Sequence, residues 1–198
     1  MGYVVFGMVK AREAGFGVLA EALERGLAYL RQQLTPSREI TSYREANRQA
    51  FILHVMVEAG QIGQAREAVD DLYENRAKLS HYGRAHLALA LHGVRGDLDQ
   101  ASAPDGHVAT LLSDLANDAV VSATGVHWEE EEYDTWGMNT DTHSTAVILS
   151  ALTRLDPENE LLPNAVRWLM VARREGVWET TYETTWALIA LTDWMRAT

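Results

Sequence analysis

Apolar residues recur along this chain at three- and four-residue intervals, the spacing that lays them on one face of a helix. The first predicted helix has Val4, Val5, Met8 and Val9 as its face, and Gly15 closes it after Ala11-Arg12-Glu13-Ala14. A second runs from Val18 to Leu34, with Leu19, Leu23, Leu27, Leu30 and Leu34 on one stripe, and Thr35-Pro36-Ser37 stops it. A third spans Tyr43 to Ala59, built on Ala50, Leu53, Met56 and Val57, with Gly60 as C-cap. Gln64 to Arg76 is a fourth, more polar, outer helix. The fifth, Tyr82 to Arg95, is densely apolar at Leu87, Leu89 and Leu91 and ends at Gly96. A sixth is predicted from about Asp105 to Val121, after Pro104. The segment 124–141, with Trp128, Tyr133 and Trp136 among turn formers, breaks the rhythm and reads as a short hairpin or ordered loop. Asp141 or Thr142 caps a seventh helix through Leu155, Asp156-Pro157 ends it, Glu160 to Glu175 is an eighth, and Thr181 to about Arg196 is a ninth.

The helices alternate in character. Odd-numbered ones are rich in Ala, Leu and Val all round, as buried helices are, and even-numbered ones keep a polar face. Registers repeat as well. Ala50-x-x-Leu53 through Gly60 overlays His86-x-x-Leu89 through Gly96, and Thr145-x-x-x-Leu149-x-Ala151-Leu152 overlays Thr184-x-x-x-Leu188-x-Ala190-Leu191. A helix-pair period of about 40 residues implies stacked hairpins, each burying the face its neighbour leaves open. The expected fold is all-α: an α/α toroid-like array of about nine helices in one domain over 1–198, with one short hairpin or loop insertion near 124–141.

Composition narrows the partners. With 17 basic against 28 acidic residues the formal charge is −11, which argues against nucleic acid or anionic lipid. No apolar run approaches the ~18 residues of a membrane span. There is no cysteine, so disulfides, thiolate zinc sites and a Cys nucleophile are all excluded. The opening Met1-Gly2-Tyr3-Val4-Val5-Phe6 enters directly into an element, without a basic leader, which reads as the start of a fragment of a larger protein.

Candidate chemistry is sparse. His81, His86 and His92 are spaced five and six apart, poorly for ligands on one helical face, and read as polar or helix-end histidines. His127 and His143 flank the irregular segment at a distance that allows them to meet. The acidic run Glu129 to Glu132, with Asp134, lacks the alternating ligands and mid-loop Gly of an EF-hand and reads as a solvated loop. Asp141 in Thr140-Asp141-Thr142 superficially resembles the acid that protonates polyenes in terpene cyclases, but it stands alone before an apolar helix, as an N-cap does. Trp168, Trp178, Trp186 and Trp194 are expected to pack the C-terminal hairpin, and Trp128 and Trp136 to pin the acidic segment to the helices.

Several stretches carry a family resemblance. Tyr3 to Val18, the His127-Trp128 and Thr145-Ala146 segments, Trp168-Leu169-Met170 and Gly176-Val177-Trp178-Glu179-Thr180-Thr181 together resemble the thioester domain of the bacterial α2-macroglobulin family. The resemblance runs in order along nearly the whole chain, although the Gly-x-Trp element also resembles repeats of squalene-type cyclases. It implies a protease trap with a bait region, many β-sandwich modules and one helical toroid, located in the periplasm or outside the cell. In thioester-bearing members a Cys-x-Glu-Gln motif forms the reactive bond, and some relatives use a His in the loop after the second helix here. This chain has no Cys, and Thr35 to Ser42 contains no His, so no catalytic, cofactor-binding or metal residue is carried over. The expected role is scaffold and interface: neighbouring β-sandwich modules as contacts, proteases as targets of the parent protein, and the Tyr3–Val9 face as a route to a homodimer. The alternatives are a toroid enzyme of terpenoid cyclase or prenyltransferase type and a helical-repeat binding module.

Overall fold

A computed structural model describes residues 1–95, 106–130 and 139–198. The predicted stop at Gly96, the start at Pro104-Asp105, and Glu131, Glu132, Tyr133, Asp134 and Trp136 lie outside the described residues. Among those described, nine α-helices and one two-stranded antiparallel sheet form: α1 (Gly2–Glu13), α2 (Ala20–Gln32), α3 (Tyr43–Glu58), α4 (Ile62–Glu74), α5 (His81–Arg95), α6 (Gly106–Asn117), β1 (Val120–Ser122), β2 (Gly125–His127), α7 (Asp141–Leu155), α8 (Leu162–Val171) and α9 (Thr181–Ala197). The fold is all-α with a small hairpin insertion.

Local chemistry places the ends. Ser42 and Glu45 form a capping box on α3, and Thr180 and Glu183 form one on α9. Thr140, rather than Asp141 or Thr142, caps α7: its hydroxyl oxygen accepts from the His143 N–H. Gly60 at φ +85 lets the Gly60 and Gln61 N–H groups bond back to Val57 and Met56, which closes α3 as its sequence position predicts.

Two predicted helices are shorter than their apolar spacing suggested. Helix α6 ends at Asn117, and Val121 pairs with Val126 in the hairpin, because β-branched Val120-Val121 suits a strand. Helix α8 ends at Val171 rather than running to Glu175. Arg174 and Val177 instead exchange both backbone hydrogen bonds across Glu175 (φ 53) and Gly176 (φ 87), a two-residue turn of the left-handed type that needs Gly.

Helices α1, α3, α5, α7 and α9 form the inner layer. Each packs on the next, while α2, α4, α6 and α8 lie against them from outside. Helices α3 and α5 approach closely because α5 has glycine at two contacts. A Cβ on Gly83 would lie within 2.1 Å of Asn47 Oδ1, and one on Gly93 within 2.3 Å of Val57 Cγ1. Leu53, Leu87 and Leu149 are fully buried in this layer, each contributing about 2 kcal/mol. The ring closes through side chains: Phe6 of α1 stacks on Trp186 of α9 at 5.2 Å between centroids. Val5, Phe6 and Val9 are thereby used inside the chain, so the Tyr3–Val9 face expected to be free presents mainly Tyr3 and Val4 to solvent.

The C-terminal signature has an upstream structural copy. After α6, hairpin β1–β2 leads to Trp128, whose indole N–H donates to Leu115 O near the end of α6 (2.6 Å). After α8, the Arg174–Val177 turn leads to Trp178, whose indole donates to Leu169 O near the end of α8 (3.0 Å). Each Trp satisfies a terminal carbonyl that has no intrahelical partner. Glu183 joins the two units, accepting from Thr180 N (3.0 Å) and from the Thr140 hydroxyl (2.5 Å), so one buried carboxylate holds the starts of α7 and α9 together.

Candidate functional site

The inner helices run in the same direction, so the ring has an N-terminal and a C-terminal mouth. Between them its axis is filled by rings. Phe51, His86 and His143 all contact Trp186, at 6.1, 5.5 and 5.5 Å between centroids. Tyr82 lies against His143 at 4.9 Å, and Tyr182 packs on the same imidazole.

A column of polar contacts threads this aromatic packing. Glu58 Oε1 lies 3.8 Å from His54 Nε2, an electrostatic contact beyond hydrogen-bond reach. His54 Nδ1 lies 3.0 Å from His86 Nδ1, so one ring donates and the other accepts. The Glu58 carboxylate favours the proton on His54 Nε2, which makes His86 the Nδ1 donor. Further along, His143 Nε2 is 3.1 Å from the Tyr182 hydroxyl, which is 2.8 Å from that of Tyr3. Burial pushes His143 down to about 3 and lowers His54; it also drives His86 well below its ordinary range, with His54 and His143 adding to the effect. All three are neutral at physiological pH. Burial raises Tyr182 well above the ordinary phenol range, with Tyr3 adding to the shift.

At the C-terminal mouth, a cleft of about 460 Å³ is lined by Lys10, Glu58, Thr153, Arg154, Asp193 and Arg196. Glu58 is paired with Lys10 and with Arg154 (2.9 Å). Burial alone would raise its pKa, but His54, Arg154 and Lys10 outweigh that and hold it far below the carboxylate range. Burial alone would lower the Lys10 pKa, but Glu58 and Glu13 outweigh that and raise it.

At the N-terminal mouth lies a larger pocket, about 650 Å³, reached by Tyr29 of α2 and Gln33 just after it, Arg44, Asn47, Arg48 and Phe51 of α3, Tyr82 and His86 of α5, and His143 of α7. Two of its buried residues keep a polar atom without a partner, Asn47 Nδ2 and His143 Nδ1.

The candidates from sequence are dispersed. His81 sits 3.4 Å from Asp118, and His92 is lowered by burial and by Arg154. His86 alone of the three enters the axis. His127 and His143 have different partners: His127 stacks on Trp168 at 4.6 Å and bonds Glu129 (3.1 Å). Glu130 is not solvated. Its side chain is 4% exposed and accepts from Tyr82 N (3.2 Å) and the Ser144 hydroxyl (2.6 Å), joining the starts of α5 and α7. Burial raises Asp141, with nearby Glu129 adding to the effect against the Glu130 N–H. Among the described residues, no group of three or more His, Asp or Glu is placed to hold a metal ion. Sequence reasoning missed His54 and Glu58. Their signal was an imidazole inside the apolar run 50–57, with a carboxylate four residues on.

No family model and no curated protein matches the chain. Solved structures do. Native α2-macroglobulin of Escherichia coli, determined by cryo-EM, superposes with a TM-score of 0.68 at 18% identity over 97% of this chain. The fold is that of a segment of α2-macroglobulin. A crystal structure of the same E. coli protein, from domain MG7 to the C-terminus, matches with a TM-score of 0.63 at 18% identity over 98% of this chain. The chain spans 12% of the first α2-macroglobulin structure and 29% of the second.

Proposed function

We propose that this chain is part of the helical thioester-type domain of an α2-macroglobulin-like protease inhibitor, acting as scaffold and interface. The observation that carries this reading is coverage: 97% of the chain follows one continuous fold in a structure of which it occupies 12%. The parent protein works outside the cytoplasm as a trap, and β-sandwich modules flank this segment. With no cysteine, the chain contributes no thioester of its own. A toroid enzyme would need an open aromatic-lined centre, whereas Phe6, Phe51, His86 and Trp186 fill the axis here.

The test is protection by size. The full-length polypeptide carrying this chain is incubated with trypsin, and hydrolysis of casein and of a small chromogenic peptide is then followed. The expected result is loss of casein cleavage with peptide cleavage retained. Unchanged cleavage of both would overturn the reading.

A further inference from the structure

We propose that the outward face of α9 is the contact through which two copies of this chain pair, the two α9 helices lying antiparallel across a twofold axis at Leu188. This does not depend on protease inhibition, and it places self-association on α9 rather than on the Tyr3–Val9 face of α1.

The face has the pattern of a helix–helix seam. From 181 to 195 the exposed positions of α9 are Thr181, Thr185, Leu188, Thr192 and Met195. Their alternating spacing of four and three is that of a coiled-coil stripe. None is charged, in a chain whose formal charge is −11. The outer helix α4, by contrast, exposes Arg66, Glu67, Asp71 and Glu74, as a face kept in water does. Leu188 is 53% exposed and Met195 72%. The matching register on α7 carries Ala146, Leu149 and Thr153, and all three are buried. The fold packs such a face on α7 and leaves it open on α9.

Self-complementarity selects a second copy as the occupant. Thr181 and Met195 lie seven residues to either side of Leu188, and Thr185 and Thr192 lie three and four. A twofold axis at Leu188 sets these positions against one another, and an uncharged stripe meets itself without like-charge repulsion. The flanking charges are opposite in sign. Glu179 precedes the helix and Arg196 lies in its last turn, nine and eight residues from Leu188. Both are exposed, and neither has an ion-pair partner among the described residues. Antiparallel pairing sets each Arg196 against the partner's Glu179, whereas parallel pairing sets like charges together. The stripe is about 25 Å long and one helix wide, well below the ~800 Å² per partner of a standard interface, so the pair is weak and reversible.

Sedimentation equilibrium of the protein between about 1 µM and about 1 mM tests this, the range suited to a small interface. The mass is expected to rise from 22.1 kDa toward twice that value. Leu188 lies on the axis, so Leu188→Arg sets two like charges face to face. It should weaken pairing at least about tenfold while keeping the far-ultraviolet spectrum, even though it lowers the net negative charge. Arg196→Glu and Glu179→Arg should each weaken pairing at least about threefold, and the two together should restore it. The proposal is overturned by a mass of 22.1 kDa throughout, the result expected of a face reserved for a different module, or by a folded Leu188→Arg variant that pairs as before. A double charge reversal that stays as weak as the single ones would also overturn it.

Discussion

The Nδ1 atoms of His54 and His86 face each other at 3.0 Å, with both rings buried between α3 and α5. Such a contact holds one proton and no more. If both rings were protonated, two N–H groups and two like charges would meet without water. Geometry therefore requires at least one neutral ring, and burial makes both neutral.

Stability should fall in mild acid. Unfolded imidazoles titrate near 6.5, and in the folded chain His54, His86 and His143 lie lower, His143 at about 3. Above 6.5 both states are neutral and the stability is fully present. Below it the unfolded chain takes up protons that the folded chain resists, so stability is lost as pH falls. The loss is up to about 1.4 kcal/mol per pH unit for each ring. Urea unfolding at pH 7 and pH 5 measures this, and equal free energies would contradict it.

Replacing Glu58 by Gln should destabilise the C-terminal mouth. Lys10 and Arg154 lose their shared partner, at a cost of about 2 kcal/mol, less than for a fully buried pair because both cations reach solvent. In the native chain, the depressed Glu58 pKa adds stability above the ordinary carboxylate range, and this is lost as pH falls below it. A Glu58→Gln midpoint in urea equal to that of the native protein would refute the pairing.

Two glycine-to-alanine changes should act in opposite directions. A Cβ on Gly125 (φ +132) would stand 2.3 Å from Asn164 O and 2.8 Å from Trp168 N, so Gly125→Ala must push hairpin β1–β2 off α8, costing about 3 kcal/mol. Gly7 in α1 has nothing within 4 Å, and Gly7→Ala should stabilise by about 0.5–1 kcal/mol through helix propensity. Thermal unfolding of both variants decides the contrast.

Trp128→Phe should cost about 3 kcal/mol, because it opens a cavity at a fully buried position and leaves Leu115 O unpaired. Trp178→Phe, at a 7% exposed position, should cost about half as much for the equivalent bond to Leu169 O. Calorimetric unfolding of the two variants gives the order, and the reverse order would refute the reading of Trp128 as the deeper anchor.

Register similarity did not mean equal burial. Thr145 and Leu149 align with Thr184 and Leu188, yet Leu149 is wholly buried and Leu188 is 53% exposed. Helix α7 has α5, α8 and α9 around it, whereas Leu188 lies on a side of α9 that no described helix covers. Likewise Glu130 reads as one member of an acidic run, and only the meeting of the α5 and α7 starts gives it two buried donors.

The sequence by itself determined the helices, their inner and outer alternation, and the toroid-like array, because apolar spacing and Gly, Pro and Thr punctuation act within a few residues. The Gly-Val-Trp unit at 176–178 is local in the same way. Tertiary structure alone decided that its Trp caps the preceding helix, that Glu183 ties two helix starts together, and that His54, His86 and His143 share an axis. The Trp178 contact spans a turn of nine positions and the others join residues 32 to 43 positions apart, or more, and the spacing within one helix places no constraint across such separations.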